Sequence, residues 1–400
     1  MIMSATDLSH ADHPAGALSA RQPDRSATGR LVSIDALRGF DMFWIIGGDA
    51  FVRALSHYAW AHWRWTHSVT WLSPQVVDEQ LEHVPWQGFH FYDLIFPLFL
   101  FVVGAVLPFS VARRRERGDS RADIWRHILV RTVVLFLLGV IYNGLFRLDF
   151  GTLRIAGVLQ RIAICYGIAA AIVLVVGVRV QALIMAALLL GYWALLAFVA
   201  PPGGTAGDYS IQGNLDGWVD RHYLPGKIYQ AYYGYGDNEG ILSTIPAVAT
   251  ALLGALAGQL LRTPMAAGFK IIVLAIAGGA CLAGGHYWDP VFPVIKNLWT
   301  SSYVLVAGGW SLLLLALFYT VIDVLRLRRW AFPFVVIGAN AITIYVGRQI
   351  IDFHHIADFF VGGAVRASGD LGPVLTTGSV LVVEWLFLWF LYRQRLFLRV

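Results

Sequence analysis

From residue 32 to residue 392 the chain is a succession of apolar segments, most of them long enough to cross a bilayer. A hydrocarbon core about 30 Å thick needs about 20 apolar residues in a helix, and in lipid only helices and closed barrels satisfy every backbone polar group. The segments fall at roughly 32–52, 89–111, 124–146, 155–177, 181–200, 241–261, 269–285, 301–322, 332–350 and 374–392. The expectation is an all-α, polytopic membrane bundle of about ten transmembrane helices. No soluble domain of 400 residues needs 58% hydrophobic and only 14% charged side chains.

Residues 1–30 are polar, mixed with Pro, Asp, Ser and Arg, and carry no apolar h-region, so a disordered tail is expected there rather than a signal peptide. Residues 31–400 form the transmembrane domain. Arg113, Arg114, Arg115, Arg117 and Arg121, and again Arg326, Arg328 and Arg329, fall in alternate connections. The positive-inside rule then puts both termini in the cytoplasm and the loops 53–88 and 201–240 outside, on the periplasmic face of a bacterial inner membrane. The net charge of +5 reads as anchoring charge at the bilayer and not as a nucleic-acid footprint. Cys165 and Cys281 lie in apolar runs, which leaves no disulfide framework or zinc spacing. His57, His62 and His67 repeat every five residues, a spacing that does not share one helix face, so no metal is expected.

The chemistry concentrates where polar sequence runs into the second span, HVPWQGFHFYDLIFPLFLFVVG (83–104). Ionisable groups at a membrane boundary are costly unless paired or functional. His83 can act as base or nucleophile, or can simply hydrogen-bond in a loop. His90 and Asp93 share a helix face, as an acid–imidazole pair or a wetted helix start. Pro97 should bend the helix. In the first span Asp35 and Arg38 read as an internal pair, and Asp49, unpaired near the outer end, is the stronger functional candidate. Arg131, Arg161 and Arg348 lie in or near spans, and Arg154 with Gln160 shares the Arg161 neighbourhood; such arginines suit phosphates or pair with carboxylates between helices. Asn238 and Glu239 read as a helix cap, and Asn340 as an interhelical hydrogen-bonding group.

The stretches SIDALRGFDMF (33–43), HVPWQGFHFYDLIFPLFLFVVG (83–104), RIAGVLQRIAICY (154–166), EGILSTIPA (239–247), KNLWTSSYV (296–304) and GANAITIYVG (338–347) occur in one order along the chain. Together they resemble the heparan-α-glucosaminide N-acetyltransferase family and its bacterial relatives. The resemblance implies that His83, ahead of Trp86, Gly88 and Asp93, is the catalytic histidine, with Asp93 or Asp49 setting its protonation. It implies acetyl-CoA as co-substrate, its phosphates held by Arg161, Gln160, Arg154, Arg131, Arg348 and Arg38, and an amino-sugar acceptor near Trp86, His90, Glu239, Asn238 and Asn340. A homodimer is a further implication. The rival expectation is an amino-sugar permease using the same bundle as a pathway.

Overall fold

A chain that must bury its backbone polar groups in lipid folds them into helices, and this one does. The computed structural model describes residues 31–229 and 234–398, so the tail over 1–30 lies outside the described residues. The helices are α1 (Val32–Phe43), α2 (Asp49–His62), α3 (Pro74–Gln80), α4 (Ile95–Glu116), α5 (Arg121–Tyr142), α6 (Val158–Val175), α7 (Val178–Phe198) and α8 (Leu215–Tyr223). They continue with α9 (Thr244–Arg262), α10 (Ala267–Trp288), α11 (Ser301–Phe318), α12 (Phe332–Ala339), α13 (Ala341–Gly347), α14 (Phe353–Ala367) and α15 (Gly372–Arg393). Among the described residues the only β-type pairings are two isolated bridges.

Among the described residues eight helices are long and apolar enough to cross a membrane. Two of the expected spans are interrupted. The 32–52 segment breaks in the π-helical turn Trp44–Gly48, where Gly47 takes φ +111°, a setting that glycine adopts without strain. The 332–350 segment stops at Asn340, whose φ of −128° is not helical, and restarts as the short α13. The expected bend at Pro97 has a different form. Pro97 sits in the first turn of α4, where a missing N–H costs little, and Pro108 is the proline inside the helix.

Close approach of backbones holds the centre together, as expected where lipid removes the hydrophobic drive between helices. A Cβ on Gly104 of α4 would sit 1.9 Å from the Ala251 carbonyl oxygen of α9. One on Gly254 would sit 1.9 Å from Phe101 O, and one on Gly258 2.1 Å from Ala105 O. α1 and α12 meet through Gly39 and Gly338 in the same manner. This packing sets α4 against α9, and α1 against α12.

Candidate active site

The loop before α4 is shaped by one buried carboxylate. Asp93 is fully buried, and its Oδ2 accepts from the backbone N–H groups of His90 (3.0 Å) and Val84 (3.3 Å). Its Oδ1 lies 2.8 Å from His83 Nδ1 and 3.2 Å from Lys296 Nζ. A carboxylate can only accept, so His83 donates to it from Nδ1, and in the neutral imidazole that leaves the lone pair on Nε2. The His83 side chain is 51% exposed while its partner Asp93 is 1% exposed, so the pair joins a buried anchor to an accessible imidazole.

Pro97 contributes indirectly. Lacking an N–H, it leaves the Asp93 carbonyl, four residues back, without a helical donor. The Tyr303 hydroxyl of α11 donates to that carbonyl at 2.7 Å. A second tie brings Lys296 in. Gln87 pairs antiparallel with Ile295, and Gly88, at φ +123°, donates to Val294 O at 2.9 Å. Lys296 follows directly, and its ammonium stands 2.7 and 3.1 Å from the two ring nitrogens of His83. Burial pulls the Lys296 pKa down, and the Asp93 charge pulls it back part of the way.

His83 and Lys296 open onto a cavity of about 580 Å³, also lined by Tyr92, Phe96, Trp299, Arg154, Asn238 and Glu239. That volume lies within the usual range of small-molecule sites. Trp299 holds φ +50°, and its indole donates to Thr250 Oγ1 at 3.1 Å. The Arg161 guanidinium lies 5.0 Å from the centre of the Trp299 ring and donates to Ser243 Oγ at 2.6 Å and Gly240 O at 3.2 Å.

The far wall is an ion network. Arg154 is bonded to Asp237 and Glu239 and stacked over Tyr229 at 4.5 Å. Burial would raise the Asp237 pKa, but Arg154 outweighs it and holds the carboxyl low. Asp220 accepts from the backbone of Asp237 and Ile241, and Asp216 from that of Ser243. Burial pushes Asp220 up to about 6 and Asp216 well above the usual range.

The sequence candidates divide accordingly. His83, Asn238, Glu239 and Arg154 line the cavity, and Asp93 anchors it. Asp49 opens α2, whereas the groups found against His83 are Asp93, Lys296 and Tyr92. Trp86 donates to Tyr209 O at 2.9 Å, and His90 Nδ1 contacts Glu82 O at 3.1 Å. Asn340 is buried at the α12–α13 break, within 3.3 Å of Thr343 Oγ1. Of the other arginines, Arg38 pairs with Asp35 at 2.8 Å and Arg131 lies over Tyr166 at 4.7 Å. Arg348 meets Glu384 at 2.9 Å, and Gln160 is buried beside Arg161. Lys296, Tyr303, Asp216 and Asp220 were not singled out from sequence. The only available signal for the first two was their place in the stretch KNLWTSSYV.

No family model matches the chain. It is 27% identical over 376 residues to human heparan-alpha-glucosaminide N-acetyltransferase, covering 80% of this chain and 56% of that protein. The mouse protein of the same name is 27% identical over 331 residues, covering 68% of this chain and 49% of that protein. The chain thus spans about half the length of the curated relatives it matches. Over most of its length the chain is similar to heparan-α-glucosaminide N-acetyltransferases, and its described residues form a bundle with membrane-length helices.

Proposed function

We propose that the protein is a multi-pass acetyltransferase of the bacterial inner membrane, moving the acetyl group of acetyl-CoA to the amine of a glucosamine-type sugar at the outer face. The observation that carries this reading is the 2.8 Å contact between accessible His83 and buried Asp93 at the edge of a ligand-sized cavity. Asp93 fixes the imidazole with Nδ1 protonated, and Nε2 faces the reactants as base. The amine nitrogen attacks the acetyl carbonyl while Nε2 takes its proton. The C–N bond forms, the C–S bond breaks, and the departing CoA sulfur leaves as thiol with the proton from Nε2. In a two-step variant Nε2 attacks first and an acetyl-imidazole passes the group to the amine. The Lys296 ammonium, 3.1 Å from Nε2, is near enough to stabilise the charge developing on the carbonyl oxygen. Both termini are cytoplasmic in this reading, and the working unit is a homodimer.

The test is transfer of radiolabelled acetyl from acetyl-CoA to glucosamine by purified protein in liposomes, beside His83→Ala. Transfer that vanishes in a monodisperse mutant supports the reading. Transfer retained in the mutant removes His83 from the chemistry. Uptake of labelled sugar into vesicles lacking acetyl-CoA would instead make the protein a permease.

A further inference from the structure

A second cavity, of about 490 Å³, lies beside the first and shares Ile45, Tyr142 and Tyr345 with it. Tyr142 and Tyr345 stack with ring centres 4.7 Å apart and planes 18° apart. The pair belongs to the lining of both spaces, as a common wall between them. The rest of the second cavity is built around Glu384, in the middle of α15. Glu384 is 0% exposed, and among the described residues neither carboxylate oxygen has an aligned hydrogen-bond donor. Arg348 Nε stands 2.9 Å from one oxygen as an ion pair, while its Nη1 donates to Ile45 O at 2.9 Å. Asp352 also lines the space. One of its oxygens caps α14 by accepting from His355 N at 2.9 Å.

A carboxylate in a membrane-length helix is expensive to keep and marks a functional site unless its hydrogen bonds are met. Here one guanidinium stands against one oxygen, the other oxygen has no donor among the described residues, and the residue faces a cavity. The charge of the lining decides between the two substrates of the proposed reaction. One guanidinium stands against two acidic side chains, Glu384 and Asp352, so the lining offers acidic acceptors and not the cluster of cations that phosphates need. Such a chamber repels the phosphates of CoA. It attracts a cation that also carries hydroxyl donors, and the faces of Tyr142 and Tyr345 suit an ammonium.

Resting on the acetyltransferase reading, we infer that the second chamber is the acceptor subsite: it first holds an amino sugar in its ammonium form, with Glu384 and Asp352 accepting from the ligand, and the sugar passes the Tyr142–Tyr345 pair into the His83 cavity to react as the free amine, its extra proton lost to solvent. Arg348 then belongs to the acceptor side, as the residue paired with Glu384, and not to the donor.

Equilibrium binding of radiolabelled glucosamine to the purified full chain, without acetyl-CoA, tests this independently of transfer. Glu384→Gln removes the buried charge. Asp352→Asn keeps the helix cap and guards against a folding failure of the first variant. Wild-type binding that weakens about tenfold or more in both variants, with labelled acetyl-CoA binding unchanged, is the expected result. Glucosamine binding retained in either folded variant, or absent from the wild type, overturns the subsite. Loss of acetyl-CoA binding instead would give the chamber to the donor and also overturn it. His83→Ala separates the two readings: it should lose transfer and still bind glucosamine.

Discussion

Replacing Asp93 with Asn tests the site at its anchor. Asp93 serves four donors with two oxygens: the backbone N–H groups of His90 and Val84 on Oδ2, His83 and Lys296 on Oδ1. Asparagine has one acceptor oxygen and one NH₂. If its oxygen stays with the backbone, its NH₂ meets His83 Nδ1 and the Lys296 ammonium. His83 can then accept only by moving its proton to Nε2, the nitrogen that must act as base. A positioned general base is worth about 10²–10⁴ in rate, and an imidazole held in the wrong tautomer falls at the upper end. We therefore expect kcat to drop about 10³-fold or more, equivalent to about 4 kcal/mol of transition-state stabilisation, with both KM values within a few fold. The assay is steady-state acetyl transfer at saturating donor and acceptor, on protein shown by size exclusion to be folded. A folded Asp93→Asn protein with kcat within tenfold of wild type would refute the tautomer argument.

Lys296→Met should lower kcat about 10²-fold with little change in acceptor binding, as for loss of one donor at a developing oxyanion; unchanged kcat would leave Lys296 a purely structural neighbour. Arg154→Ala removes the guanidinium paired with buried Asp237 and Glu239 and should cost about 3–5 kcal/mol, read as a fall in melting temperature that Asp237→Asn partly reverses. Burial lifts Asp220 to about 6 against 3.8 unfolded, so between those values the folded state binds the extra proton. Stability should therefore rise as pH falls from 6 towards 4, by at most about 3 kcal/mol, and Asp220→Asn should flatten that slope in thermal melts. Gly254→Leu drives a side chain into the Phe101 carbonyl, where even a Cβ would sit 1.9 Å away, and the extracted protein should run as aggregate on size exclusion.

Segment length and hydropathy made the membrane bundle legible, because lipid leaves a chain few alternatives. The same measure overcounted continuous helices at 32–52 and 332–350. Hydropathy averages over a window and is blind to a single Gly47 at positive φ or to Asn340 stepping out of the helix. His83 and Asp93 were legible as candidates because ten residues of one polar–apolar boundary carry both. Their partner was not. Lys296 lies 213 positions from His83, and in sequence it is an ordinary lysine in a short connection between two spans. The pairing of Gln87 with Ile295, the Gly88 bond to Val294 O and the Tyr303 bond to the carbonyl freed by Pro97 bring the two loops together.

Glu384 shows the opposite failure. Its signal was present, a lone carboxylate in the run LVVEWLFLWF, and the cost of ionisable groups in lipid should have singled it out. The arginines of the spans are the more conspicuous candidates, on the premise that intramembrane cations await phosphates. The arrangement argues against that premise for most of them. Arg38, Arg154 and Arg348 each face a carboxylate, and Arg131 and Arg161 each lie over an aromatic ring. In a low-dielectric bundle an arginine is retained most cheaply when its partner is built into the chain. Among the described residues Asp41 and Glu384 have both carboxylate oxygens without aligned donors, and of the two Glu384 lines the second cavity, whose polar demand is for a ligand that donates hydrogen bonds and carries positive charge.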